Sequence, residues 1–144
     1  MRFCVLASGS SGNASLLMEG SFGVLLDLGL GPRTLSQRLE DIDASWDHVQ
    51  AALLTHVHGD HWNENTLRQL FRLKIPLHCH PSHVTELEYQ SAAFANLLDN
   101  DLIKLYMVSE TFTPGETVEV ATVNGLTLMV RRRPDAAAAE GEPR

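Results

Sequence analysis

Short apolar runs, set off by glycine and polar residues, open the chain. RFCVLAS, ASLLMEG and GVLLDLG predict three consecutive strands, with SGSSGN as a glycine-containing turn, so the chain begins as a β meander. The period then changes. Leu35, Leu39 and Ile42 recur at the spacing of one helical face through RTLSQRLEDI, and Pro32 suits the first turn of that helix. QAALLTH predicts a strand. After it Asn63 can cap a helix whose stripe is Leu67, Leu70 and Phe71, and Pro76 stops that helix before the short strand PLHC. SHVTELEYQSAAFANLL predicts one further helix, DLIKLYMV a strand, and TVEVATVNGLTLMV a hairpin turned by Asn124-Gly125. Strand, helix and strand in succession predict an α/β fold. The last stretch, RRRPDAAAAEGEPR, is small, charged and proline-containing without apolar periodicity, so residues 131–144 read as a disordered, solvated tail and the folded region as residues 1–130.

Composition adds limits. With 144 residues, 44% hydrophobic and 20% charged, the chain has the make-up of one soluble globular domain. Its opening lacks the apolar stretch of a secretory signal, and no run is long enough to span a membrane. Cys4 and Cys79 each sit in an apolar segment without a cysteine nearby, as expected of small buried side chains in a reducing compartment, so the cytoplasm is the expected location. A net charge of −7 argues against a broad electrostatic grip on nucleic acid. Bound divalent cations would make one cleft locally positive against that background, so a phosphate ester remains an admissible substrate.

The candidate chemistry lies in LLTHVHGDHW, where His56, His58, Asp60 and His61 follow directly on an apolar run. Imidazole and carboxylate suit zinc and other borderline divalent ions, and four such groups in one loop exceed what a single ion with an open position for water needs. Two ions are the natural reading. Gly59 is expected to give the close backbone turn on which the loop's side chains converge.

THVHGDH resembles the H-x-H-x-D-H signature of the metallo-β-lactamase superfamily, and the preceding order of elements is similar to the first part of that αββα sandwich. By this resemblance, residues 1–130 form a partial metallo-β-lactamase-like domain, its N-terminal portion. His56 and His58 would hold a first ion, and Asp60 and His61 a second; zinc is expected and manganese is an alternative. Asp27, in VLLDLG, matches the family's aspartate beneath the metal loop and would support that loop; its other reading is an ordinary strand-end turn residue. SGSSGN is similar to the first turn of a subgroup that includes bacterial nucleases and phosphodiesterases, and HGDH also occurs in the transfer-RNA 3′-processing branch. The resemblance therefore implies a metal-dependent hydrolase of a phosphodiester or nucleic acid. Its two ions would activate a water, and Asp60 would both bind metal and orient that nucleophile. The helix starting near Asn63 would point its positive end at an anionic substrate.

A second group, His78, His80 and His83, has no carboxylate or second cysteine beside it. Alternation places His78 and His80 on one strand face, and the group reads as structural or solvent-facing. The superfamily completes its site with later histidines and a bridging aspartate, yet no histidine follows His83. The expectation is a truncated chain with an incomplete site, against an authentic short variant; the other functional readings are a noncatalytic metal-binding fragment and a dimer whose partner supplies the missing ligands.

Overall fold

The computed structural model describes residues 1–106, 118–124 and 127–132. It divides into two compact units, Met1–Met107 and Val108–Arg144. In the second, β7 (Val118–Asn124) and β8 (Thr127–Arg132) pair antiparallel. Asn124 is itself the last paired residue, opposite Thr127, and the predicted turn residue Gly125 lies outside the described residues, as does the stretch from 133 onward.

The first unit is built on a six-stranded sheet in the order β1 (Arg2–Ala7), β2 (Ala14–Glu19), β3 (Phe22–Leu26), β4 (Ala51–Leu53), β5 (Leu77–Cys79), β6 (Ile103–Leu105). The first three strands form the predicted antiparallel meander. The next three add in parallel, which requires crossovers. The crossovers carry the helices: α1 (Pro32–Glu40), α2 (Glu64–Leu73), and α3 (Val84–Gln90) with α4 (Ala92–Asp99). Period two along β2 buries Ala14, Leu16 and Met18, and these join Leu35 and Leu39 of α1, Leu67 and Leu70 of α2, and Leu87, Phe94 and Leu97 of α3 and α4 in one core. Burying a leucine completely contributes about 2 kcal/mol, so that shared core is what holds helices of this length in place.

Three expectations are corrected. The single helix predicted over residues 82–98 is two, broken at Ser91, whose backbone is extended and whose hydroxyl accepts from the Phe94 N–H at 2.9 Å. The cause is tertiary: Ser91 Oγ donates to Glu64 Oε2, and the Ala93 N–H donates to Glu64 Oε1 at 3.1 Å, so the first turn of α2 pins the start of α4. QAALLTH yields only a three-residue strand. Beyond the Leu54 N–H, which donates to His78 O at 2.9 Å, the Thr55 N–H turns instead to the Asp27 carboxylate at 2.9 Å and leaves the ladder. Third, His78 and His80 do not share a strand face, because β5 stops at Cys79 and His80 caps a single 3-10 turn, Pro81–His83, where it accepts from the Ser82 N–H at 3.3 Å.

Candidate metal centre

The loop from Thr55 to Trp62 leaves the C-terminal end of β4, beside the end of β3 that carries Asp27. Asp27 is buried, with 8% of its surface exposed, and its φ of 60° lies in the left-handed region. Aspartate tolerates that conformation better than most residues, though at a cost of about 1–2 kcal/mol. Four groups converge on its carboxylate or its backbone and offset the cost. The Thr55 N–H and hydroxyl donate to Oδ1, each at 2.9 Å, while His61 Nδ1 lies 2.8 Å from Oδ2 and the Asp27 N–H donates to Leu53 O at 2.8 Å.

These contacts determine tautomers. A carboxylate accepts, so the His61 Nδ1 proton faces Asp27 and Nε2 is turned toward Asp60, whose Oδ2 is 3.6 Å away. With its proton committed to Asp27, the Thr55 hydroxyl accepts from His56 Nδ1 at 3.0 Å, which leaves His56 Nε2 free as a donor to a metal. The His56 and His61 rings are 3.7 Å apart between centroids, and the exposed ring of His58 is 4.9 Å from that of His56. The fold thus brings His56, His58, Asp60 and His61 to one loop and sets Asp27 beneath it.

The loop is held from both sides. Leu28 N–H donates to His61 O at 2.8 Å and His61 N–H to His58 O at 2.9 Å, while the Trp62 indole donates to Val57 O at 3.0 Å. Gly59 lies in the expected turn, closed by the His61 N–H on the His58 carbonyl, but the turn does not crowd it: a Cβ there would meet nothing within 4 Å. A close approach is made instead at Gly29, where a Cβ would lie 1.9 Å from Asp60 O and 2.6 Å from Asn13 N. Sequence reading also missed Asn13, at the end of the SGSSGN turn. Its N–H donates to Asp60 O at 2.7 Å, and its side-chain amide donates to Asp60 Oδ2 at 2.8 Å. Two amides of that turn are used within it, Gly9 N–H on Asn13 Oδ1 at 3.0 Å and Gly12 N–H on Gly9 O at 3.1 Å. The start of α2 is likewise occupied: Asn63 Oδ1 accepts from the Asn65 and Thr66 N–H groups, and Glu64 sets a carboxylate in the first turn.

A model of the beta-lactamase superfamily domain matches residues 22–138. The chain belongs to the beta-lactamase superfamily. Within that superfamily it is similar to the exodeoxyribonuclease WalJ of Streptococcus pneumoniae, 37% identical over 60 residues that make up 42% of this chain and 22% of WalJ. Its fold is shared with Zn(2+)-bound PqqB from Methylobacterium extorquens, at a TM-score of 0.55 and 19% identity over 82% of this chain and 50% of PqqB. It is shared also with a putative metallo-beta-lactamase from Thermotoga maritima, at a TM-score of 0.53 and 18% identity over 82% of this chain and 64% of the other. The chain therefore spans only part of the length of these relatives.

The donor set of this superfamily chain suits a divalent ion. Two ligands about 2.1 Å from one tetrahedral ion stand about 3.4 Å apart, close to the 3.6 Å between Asp60 Oδ2 and His61 Nε2. Among the described residues, however, no group of three or more His, Cys, Asp or Glu side chains is gathered tightly enough to hold an ion by itself. The second histidine group adjoins the first. Burial, then the neighbouring imidazoles of His80 and His56, hold His83 below the usual histidine value against an opposing pull from Glu86. Tyr106, 6.1 Å from His80 between ring centroids, donates its hydroxyl to Leu54 O at 3.1 Å and ties β6 to the start of the loop. No helix of the described residues is long and apolar enough to cross a membrane.

Proposed function

We propose that this chain carries the metal-binding loop of a metal-dependent hydrolase that acts on phosphodiesters of nucleic acid. His56 and His58 would serve one divalent ion and Asp60 and His61 a second, with zinc expected and manganese the alternative. The observation that carries this reading is the contact between Asp27 and His61: Asp27 Oδ2 lies 2.8 Å from Nδ1, which leaves Nε2 facing Asp60. Support for the substrate class comes from the exodeoxyribonuclease relative. When bound, such ions supply Lewis acidity and an activated water. This chain's own contribution is to bind and orient. Asp27 and Thr55 hold the two imidazoles in the ligand tautomer, and Asp60 adds a negative donor that can accept a proton from an incoming water.

The reading is tested with bis-p-nitrophenyl phosphate and added zinc or manganese, using this chain, its His58→Ala variant, and a chain extended to the length of its relatives. This chain alone is expected to be a poor catalyst, because two protein ligands per ion fix neither the ion nor its water. The extended chain is expected to turn over in a way that His58→Ala abolishes. A metal-independent rate, or one that His58→Ala leaves intact, overturns the proposal. A second reading, a metal-binding module without turnover, draws on the lack of a three-donor group among the described residues. Zinc binding with no hydrolysis at any length would favour it.

A further inference from the structure

The side chain of Asn13 makes a contact that nothing so far has used. Its Nδ2 lies 3.1 Å from His61 Nε2 as well as 2.8 Å from Asp60 Oδ2, so one amide nitrogen spans both proposed ligands of the second ion. The orientation of the amide follows from its other end. Gly9 N–H, which can only donate, lies 3.0 Å from the opposite atom of the amide, so that atom is the oxygen and the one facing His61 is the NH2 group. With the Nδ1 side facing Asp27 and an NH2 group, which only donates, facing Nε2, Nε2 is an acceptor with a single lone pair. That lone pair can take an N–H from Asn13 or bind a cation, but not both.

We propose that Asn13 is a place-holder for the cation at Asp60 and His61: its amide supplies the positive pole between these two groups until an ion displaces it from Nε2. The inference rests on the metal reading above. His61 does not need Asn13 to stay in place, since Asp27, the Leu28 N–H and the His58 carbonyl already fix its ring and backbone. Asp60 keeps its backbone bond from the Asn13 N–H whatever side chain stands at position 13. Removing the amide removes a competitor, together with its bonds to Asp60 Oδ2 and to the Gly9 N–H and carbonyl, while the backbone bonds that place Asp60 and His61 remain. One neutral hydrogen bond released on binding corresponds to about a five-fold penalty on affinity. Asn13→Ala is then expected to bind zinc about five-fold more tightly than the unaltered chain. Asn13→Asp, which replaces the competing donor by a carboxylate ligand, is expected to bind more tightly than Asn13→Ala and to be less stable without the ion.

The test is a zinc titration of the full chain and both variants. It is followed by calorimetry and by long-range 1H–15N spectra of the imidazoles, with the side-chain amide of Asn13 as a second probe in the unaltered chain. The expected result has the His61 Nε2 and Asn13 amide signals moving together as zinc is added, with affinities in the order given. Weaker or equal binding by Asn13→Ala overturns the place-holder role, and so does an Asn13 amide that stays unmoved while His61 responds. If either variant fails to fold, the two signals of the unaltered chain still decide. No response at His61 in any chain overturns the metal reading itself, a result distinct from zinc binding that leaves Asn13 where it is.

Discussion

Asp27 Oδ2 lies 2.8 Å from His61 Nδ1, and this contact across 34 positions of sequence fixes which nitrogen of the imidazole is left to face Asp60. The same carboxylate receives the Thr55 hydroxyl, which in turn faces His56. One buried acid therefore sets the protonation pattern of two of the loop's imidazoles.

Asp27→Asn keeps a residue that tolerates the left-handed backbone but gives up the negative acceptor. Zinc affinity is expected to fall roughly ten- to a hundred-fold, the usual cost of losing the partner of a metal-binding imidazole. Calorimetric titration beside the unaltered chain checks this, and equal affinities would show that Asp27 does not orient His61.

Gly29→Ala is expected to destabilise the chain by about 1–3 kcal/mol, because the added carbon must push aside the backbone of Asp60. A Cβ at Gly59 meets nothing within 4 Å, so Gly59→Ala should stay within about 0.5 kcal/mol. Urea unfolding of the two variants separates them, and a larger loss at Gly59 would contradict the packing described.

Burial pushes the Cys79 thiol up to about 11, and Cys79 has 0% of its surface exposed, whereas Cys4 is partly exposed. At pH 8 a thiol reagent is expected to modify Cys4 readily and Cys79 only after denaturant is added. Mass mapping of the labelled peptides reads the outcome, and prompt labelling of Cys79 in the native chain would refute its burial.

Burial and then Lys104 hold His78 below the ordinary histidine value of 6.5. The unfolded chain thus takes up a proton there more readily than the folded one, so this residue's contribution to stability is complete above about pH 6.5 and is lost as pH falls through that value. His78→Leu, which also removes a buried Nε2 without a hydrogen-bond partner, is expected to flatten the loss of melting temperature between pH 7.5 and 5.5. An unchanged slope in the variant would assign the pH dependence to other groups.

Local signals carried much of the fold. The meander, α1 and the Asn63 cap were legible because each rests on apolar spacing or a cap within a few residues. The break at Ser91 was not, since Glu64 imposes it from another helix. Asn13 was hidden for the same reason, its partner Asp60 lying 47 positions away. The crowding at Gly29 was not legible, because it is visible only when the position of the Asp60 backbone is known. His56, His58, Asp60 and His61 stood out through their density in one loop, whereas the dependence of two of these imidazoles on Asp27 and Thr55 is a property of strand order.

That strand order also sets a sequence of events in folding. β1 to β3 close through short hairpins, while β4 reaches β3 across the longer connection that carries α1 and is expected to dock later. Thr55 and His61 follow β4, so their meeting with Asp27 waits for that later docking. An ion added to the unfolded chain encounters imidazoles of either tautomer on a loose loop, and an ion added after folding encounters imidazoles already fixed. On the proposed metal reading, the order in which zinc and native conditions are introduced is therefore expected to change the rate at which the loop is loaded.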